Sequence, residues 1–141
     1  MPVLQKGVAA LTNRMPKVIS PKGHAFADYV TIGAFGFLAY AFWKRNKHAA
    51  IAAMSCGVAE LTTTLLADFP GGLSRRMSFA TKGKIDMGLA AVCTSMPNLM
   101  GFDDEPEARW FRILGLGLTA YTGLTEFREL ERESVRRRRA A

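Results

Sequence analysis

The chain has 141 residues, enough for one compact unit, and a formal net charge of +7. Apolar residues make up 49% of it, yet charge is almost absent from four runs: 29–43 and 87–102 hold none, 49–67 holds only Glu60, and 110–125 holds only Arg112. Each run is apolar all round, which argues against a soluble bundle with a polar face on every helix, and Cys56 and Cys93 lack the CxxC spacing of a thiol redox motif.

Residues 1–19 place Leu4, Val8, Leu11 and Met15 at helical spacing, with Lys6, Asn13 and Arg14 elsewhere on the wheel. This segment reads either as an amphipathic helix on a membrane surface or as a flexible tail. No signal-peptide core follows its first basic residue.

The four runs are 15–19 residues long, against the ~17–25 of a spanning helix. Their flanks extend them through Phe26, Ala27 and Ile85, and Tyr29, Trp43, Phe69, Phe102, Trp110 and Phe127 stand near run ends, as an interfacial belt requires. The expected fold is all-α, a bundle of four transmembrane helices. Pro97 should kink the third helix. The turn "KRNKH" (44–48) is basic and "DDEPEAR" (103–109) acidic, so the two should attract one another. Fourteen of the 19 Lys and Arg residues fall in the amino-terminal segment, the stretch between the second and third runs, and the carboxyl-terminal tail. The positive-inside rule then puts both termini in the cytoplasm, with the chain in a plasma or bacterial inner membrane.

A shift of 58 residues superimposes Ser20 on Ser78, Asp28 on Asp86, Gly57 on Gly115, Thr64 on Thr122, Asp68 on Glu126 and Phe69 on Phe127. The chain therefore reads as 1–19, a first helical hairpin 20–77, a second hairpin 78–127, and a basic tail 128–141. Two spans per unit make these parallel repeats, related by an axis along the membrane normal. The stretch "GLAAVCTSMPNLMGF", a charged turn and "ILGLGLTAYTGLTEF" resemble the SPW-repeat family of small membrane proteins through Ser95, Pro97 and Gly101-Phe102. Met96 intrudes in that motif and Asn98 stands in place of its tryptophan. The resemblance implies a membrane location and a two-helix unit, and no activity.

Two groups carry candidate chemistry. His24, Asp28, Asp68, Lys82, Asp86 and Glu126 should share the depth of the cytoplasmic rim, where His24–Asp28 and Lys82–Asp86 are i, i+4 pairs. They read as an ionic cluster between hairpins, or as separate pairs near helix ends. The second histidine, His48, belongs to the opposite face, so no metal site and no bis-histidine haem is expected. Glu60, counted along its run, should lie near the bilayer midplane, with Thr63, Thr64, Thr119 and Arg112 as neighbours. Burying a charged Asp, Lys or Arg there costs ~2.5–3.5 kcal/mol, so such a residue is a functional candidate. Small residues repeat every fourth position at Ala49, Ala53 and Gly57, and again at Gly115, Thr119 and Gly123, for close helix packing.

The tail should continue the fourth helix, and Arg136, Arg137, Arg138 and Arg139 suit anionic lipid headgroups better than nucleic acid. Nucleophile–base pairs, phosphate loops and cofactor motifs are not seen, so a non-enzymatic role is expected. That role is structural or accessory, alone, as a homo-oligomer or with membrane protein partners. The alternative is a small proton- or cation-coupled transporter or channel using Glu60.

Overall fold

The computed structural model describes residue 6, residues 17–125 and residues 128–141. It is mostly helical: α1 Pro21–Phe42, α2 Lys47–Leu66, α3 Phe79–Leu99, α4 Ala108–Gly123 and α5 Arg128–Ala140, with two-residue strands β1 Ala67–Asp68 and β2 Met77–Ser78.

Local chemistry sets these boundaries. Ser20 caps α1 by accepting from the Gly23 amide, and Pro21 takes the first turn, where no amide is needed. Asn46 caps α2 by accepting from the Ala49 amide, leaving a tight turn after Phe42. Ser78 caps α3 through the Thr81 amide. The helix runs through the buried Pro97 and stops two residues later, where Gly101 takes φ 72°, a left-handed value that suits glycine.

The helices form two antiparallel hairpins, α1–α2 and α3–α4, packed side by side. Gly57 brings α2 against Phe35 and the Ile32 carbonyl of α1. Gly115 does the same for α4 against Thr94 and the Ala90 carbonyl of α3, where an added Cβ would collide. At one end of the bundle the turns meet: Arg45 lies 3.7 Å from Glu107, and Asn46 donates to Glu105. The expected attraction between basic and acidic turns is therefore present. At the other end the hairpins are laced twice by parallel pairings, Ala67 and Asp68 with Met77 and Ser78, and Ile19 with Thr125.

Between these ends the buried stripe of every helix changes character. Near the turns it is apolar and small: Phe35, Leu38 and Phe42 of α1 pack on Ala49, Ala52, Ala53 and Cys56 of α2, with Cys93, Phe102 and Phe111. Toward the strands it becomes polar, through His24, Asp28, Glu60, Thr64, Lys82, Asp86 and Thr122. A second, small apolar group of Ala25, Ala67, Phe69 and Phe79 lies at the strand end. Large apolar side chains face outward instead, among them Phe26, Phe37, Tyr40, Val58, Leu99 and Leu116.

Two helices, α1 and α2, are long and apolar enough to cross a membrane. The third begins eight residues ahead of its apolar run and takes in Lys82, Lys84 and Asp86. The fourth has 16 residues, about 24 Å at 1.5 Å per residue. Three expectations need correction. Phe69 and Phe102 are core residues at 7% and 1% exposure rather than belt residues, whereas Tyr29, Trp43 and Trp110 are partly exposed. The tail is a separate helix: α4 stops at Gly123, and Thr125 turns aside to pair with Ile19. Thr119 faces outward, so the small-residue ladder of α4 does not form one buried row. The amphipathic reading of 1–19, Glu126 and Phe127 lie outside the described residues, except for Lys6 and 17–19.

Candidate functional site

Members of both candidate groups predicted from sequence meet in one buried cluster. His24 and Asp28 lie one turn apart on α1, Lys82 and Asp86 one turn apart on α3, and Glu60 reaches in from α2; all five side chains are fully buried. His24 Nε2 lies 3.3 Å from Asp28 Oδ1 and 3.1 Å from Asp86 Oδ2. Lys82 Nζ lies 2.7 Å from Asp86 Oδ2 and 2.9 Å from Asp28 Oδ2. The result is an alternating square of two bases and two acids in which each base touches both acids. Two of its edges lie within a helix and two cross between hairpins.

Glu60 stands beside this square, with Oε1 3.5 Å from Lys82 Nζ, and it also faces Asp28. It is 14th of the 20 residues of α2, six residues from the strand end. That is about 9 Å of helix, at the level of the square.

Hydroxyls complete the shell. Tyr121 donates to Asp28 Oδ1 at 2.9 Å, and Thr64 donates to Asp28 Oδ2 at 3.4 Å. The Thr125 hydroxyl donates to the Tyr121 carbonyl at 2.6 Å, so at 2.7 Å it accepts from His24 Nδ1–H. That leaves His24 Nε2 directed at two carboxylate oxygens, an arrangement that needs one proton among the three atoms. Phe69 and Phe79 stack at 4.9 Å over the strand end of the cluster, and His24 sets its edge against both, at 6.1 and 5.3 Å. Lys82 Nζ lies 5.7 Å from the Phe69 ring.

Three of the buried carboxylate oxygens, both of Glu60 and Oδ1 of Asp86, have no hydrogen-bond partner, nor does Thr122 Oγ1. Buried polar atoms of this kind are uncommon and call for an explanation. One nitrogen of His24 and one oxygen each of Asp28 and Asp86 lie within 4.8 Å of one another, close enough to converge on a cation. The Lys82 ammonium already occupies the cation's place between those carboxylates.

Other expected members stand apart. Asp68 pairs with Arg75 at 3.6 Å on the partly exposed rim. Arg112 and Thr119 are exposed on α4, and Thr119 bonds the Gly115 carbonyl. Thr63 bonds the Glu60 carbonyl and not its side chain. Arg136, Arg137, Arg138 and Arg139 are all exposed on α5. Tyr121, Thr125 and Phe79 were not anticipated. Tyr121 and Thr125 carried a signal, since they are i, i+4 polar neighbours at the end of an apolar run. Cys56 and Cys93 are buried free thiols, and they meet across α2 and α3.

Comparison with protein families, with curated proteins and with solved structures returned no match. The resemblance to the SPW-repeat family rests on the residues quoted above.

Proposed function

We propose that the chain is a small multi-pass membrane protein, a bundle of four spans built from two parallel hairpins, whose buried cluster is the exchange site of a proton- or cation-coupled carrier or channel. The observation that carries this reading is the inversion of the bundle: five ionisable side chains lie fully buried, while Phe26, Phe37, Tyr40 and Leu116 are 65–84% exposed. In water that distribution is unfavourable on both counts. In lipid the apolar faces are solvated, and a buried ionisable group marks a pathway by default. The short α4 is accommodated by local thinning of the bilayer.

The 58-residue offset supports the two-hairpin reading. It relates the capping serines Ser20 and Ser78, the close-packed Gly57 and Gly115, and the paired strand ends, since Ile19 and Thr125 shift onto Met77 and Ala67. Both termini lie on the cytoplasmic side in this reading. Lys82 is withdrawn into the core, and the basic residues left on that side still outnumber the five on the other. The α5 arginines then meet anionic headgroups at about 1 kcal/mol per charge.

A structural or accessory role, without catalysis, is the second reading. Gly33, Gly36, Phe37 and Tyr40 form one outward stripe of α1, and a Cβ added at either glycine would meet nothing within 4 Å. That stripe suits close docking of a partner helix or a second copy. The test is flux into vesicles reconstituted with the whole protein and loaded with a pH-sensitive dye. The carrier reading expects an imposed proton or cation gradient to collapse with wild type and to persist with Glu60→Gln. No flux with wild type, together with a partner-containing complex in gently solubilised membranes, establishes the accessory role instead.

A further inference from the structure

We infer that the cluster binds a proton at Glu60, and that this proton is the ion the carrier exchanges. The inference rests on that reading for its use and on charge and geometry for its content. Three carboxylates and two bases share one buried compartment. Asp28 is surrounded by donors: Tyr121, Thr64 and Lys82 all give it hydrogens, and His24 Nε2 faces it. Asp86 is held by Lys82 and His24 through a single oxygen. With Lys82 charged and one proton shared among His24, Asp28 and Asp86, the alternating square is neutral in itself. Glu60 is therefore the acid left over.

The surroundings of Glu60 fit that count. Across from it stand Asp28 of α1 and Lys82 and Asp86 of α3. The Tyr121 phenol of α4 and the Cys93 thiol of α3 lie within electrostatic reach, and neither brings positive charge. Neither of its oxygens receives a hydrogen bond, and the nearest cation, at 3.5 Å, is already closer to two other carboxylates. A proton on Glu60 makes the compartment neutral and supplies a donor between it and Asp28. A metal or alkali ion would instead bring a second positive charge against the Lys82 ammonium.

The experiment is infrared spectroscopy of the full chain in lipid nanodiscs, paired with unfolding of the same samples. The expected result is a carbonyl-stretch band of one buried protonated carboxyl in wild type, absent in Glu60→Gln and lost on alkalinisation. Gln mimics the protonated acid, so Glu60→Gln is expected to keep the folding equilibrium constant within about threefold. Asp86→Asn, which strips a charge from the square, is expected to lower it about a hundredfold or more. The inference is overturned if wild type lacks the band, if the band survives in Glu60→Gln, if added Na⁺ or Mn²⁺ removes it at constant pH, or if Glu60→Gln unfolds as readily as Asp86→Asn. A band with the expected behaviour in a protein that conducts no flux would uphold the proton site and sink the carrier reading.

Discussion

The two hairpins place similarly spaced residues in different chemistry. Each offers a capped helix start, a base on the fourth residue of its first helix, an acid on the eighth, and a glycine where its helices touch. The bases differ, however: His24 in the first hairpin, Lys82 in the second. The first hairpin also carries Glu60 where the second has Leu118. Thr64 donates to Asp28, whereas the Thr122 hydroxyl, at the corresponding position, has no hydrogen-bond partner, and neither does Asp86 Oδ1. Shared spacing in the two hairpins thus leads to an asymmetric compartment. The symmetric part is a neutral clasp across the hairpins, and the asymmetric part supplies the extra acid.

That contrast can be broken at graded points. The largest effect should come from Lys82→Met, which leaves Asp28 and Asp86 with His24 as their one base. A loss of about 3–5 kcal/mol is expected, read by unfolding in mixed detergent, and Lys82→Met with Asp86→Asn should recover part of it. If Lys82→Met is no worse than a surface substitution, the square is not a clasp.

Next come the contact glycines. Gly115→Ala drives a methyl into Thr94 and the Ala90 carbonyl, while Gly57→Ala meets Phe35 Cβ at 3.1 Å and the Ile32 carbonyl at a relaxed 3.9 Å. About 1–3 kcal/mol is expected for the first and the low end of that range for the second, and the order of the two melting midpoints tests it. Tyr121→Phe removes a hydrogen bond to a charged acceptor, and about 1.5–3 kcal/mol is expected. Thr122→Val, which breaks no bond, should be neutral or stabilising, so equal losses would contradict the asymmetry.

Smaller and equal effects are expected where the hairpins do match. Ser20→Ala and Ser78→Ala should each cost about 1 kcal/mol, and unequal losses would show that one cap is doing something else. The smallest belongs to the outer turns, where Arg45→Ala should cost about 0–1 kcal/mol and less in high salt.

Much of this was legible in the chain. Charge-free runs between capping residues mark the helices, and the shared spacing of His24–Asp28 and Lys82–Asp86 marks the square. What could not be read was rotation. Whether Glu60 or Val58 faces inward depends on how α2 turns against α1 and α3, and an all-apolar helix carries no stripe to reveal it. Arg112 and Thr119 were assigned to the interior for the same reason, and both are exposed. Tyr121 was hidden by its apolar neighbours. Only its hydroxyl, one turn from Thr125, hinted that α4 turns polar before it ends.

The double lacing at the strand end has a consequence for chain order. Ala67 lies beside Met77 as Ile19 lies beside Thr125, so the entry of each hairpin adjoins the exit of the other. The connection through residues 69–76 therefore spans a gap that the bundle closes by itself. A circular permutant opened within that stretch, with a short linker carrying Thr125 back to Ile19, would keep every edge of the square.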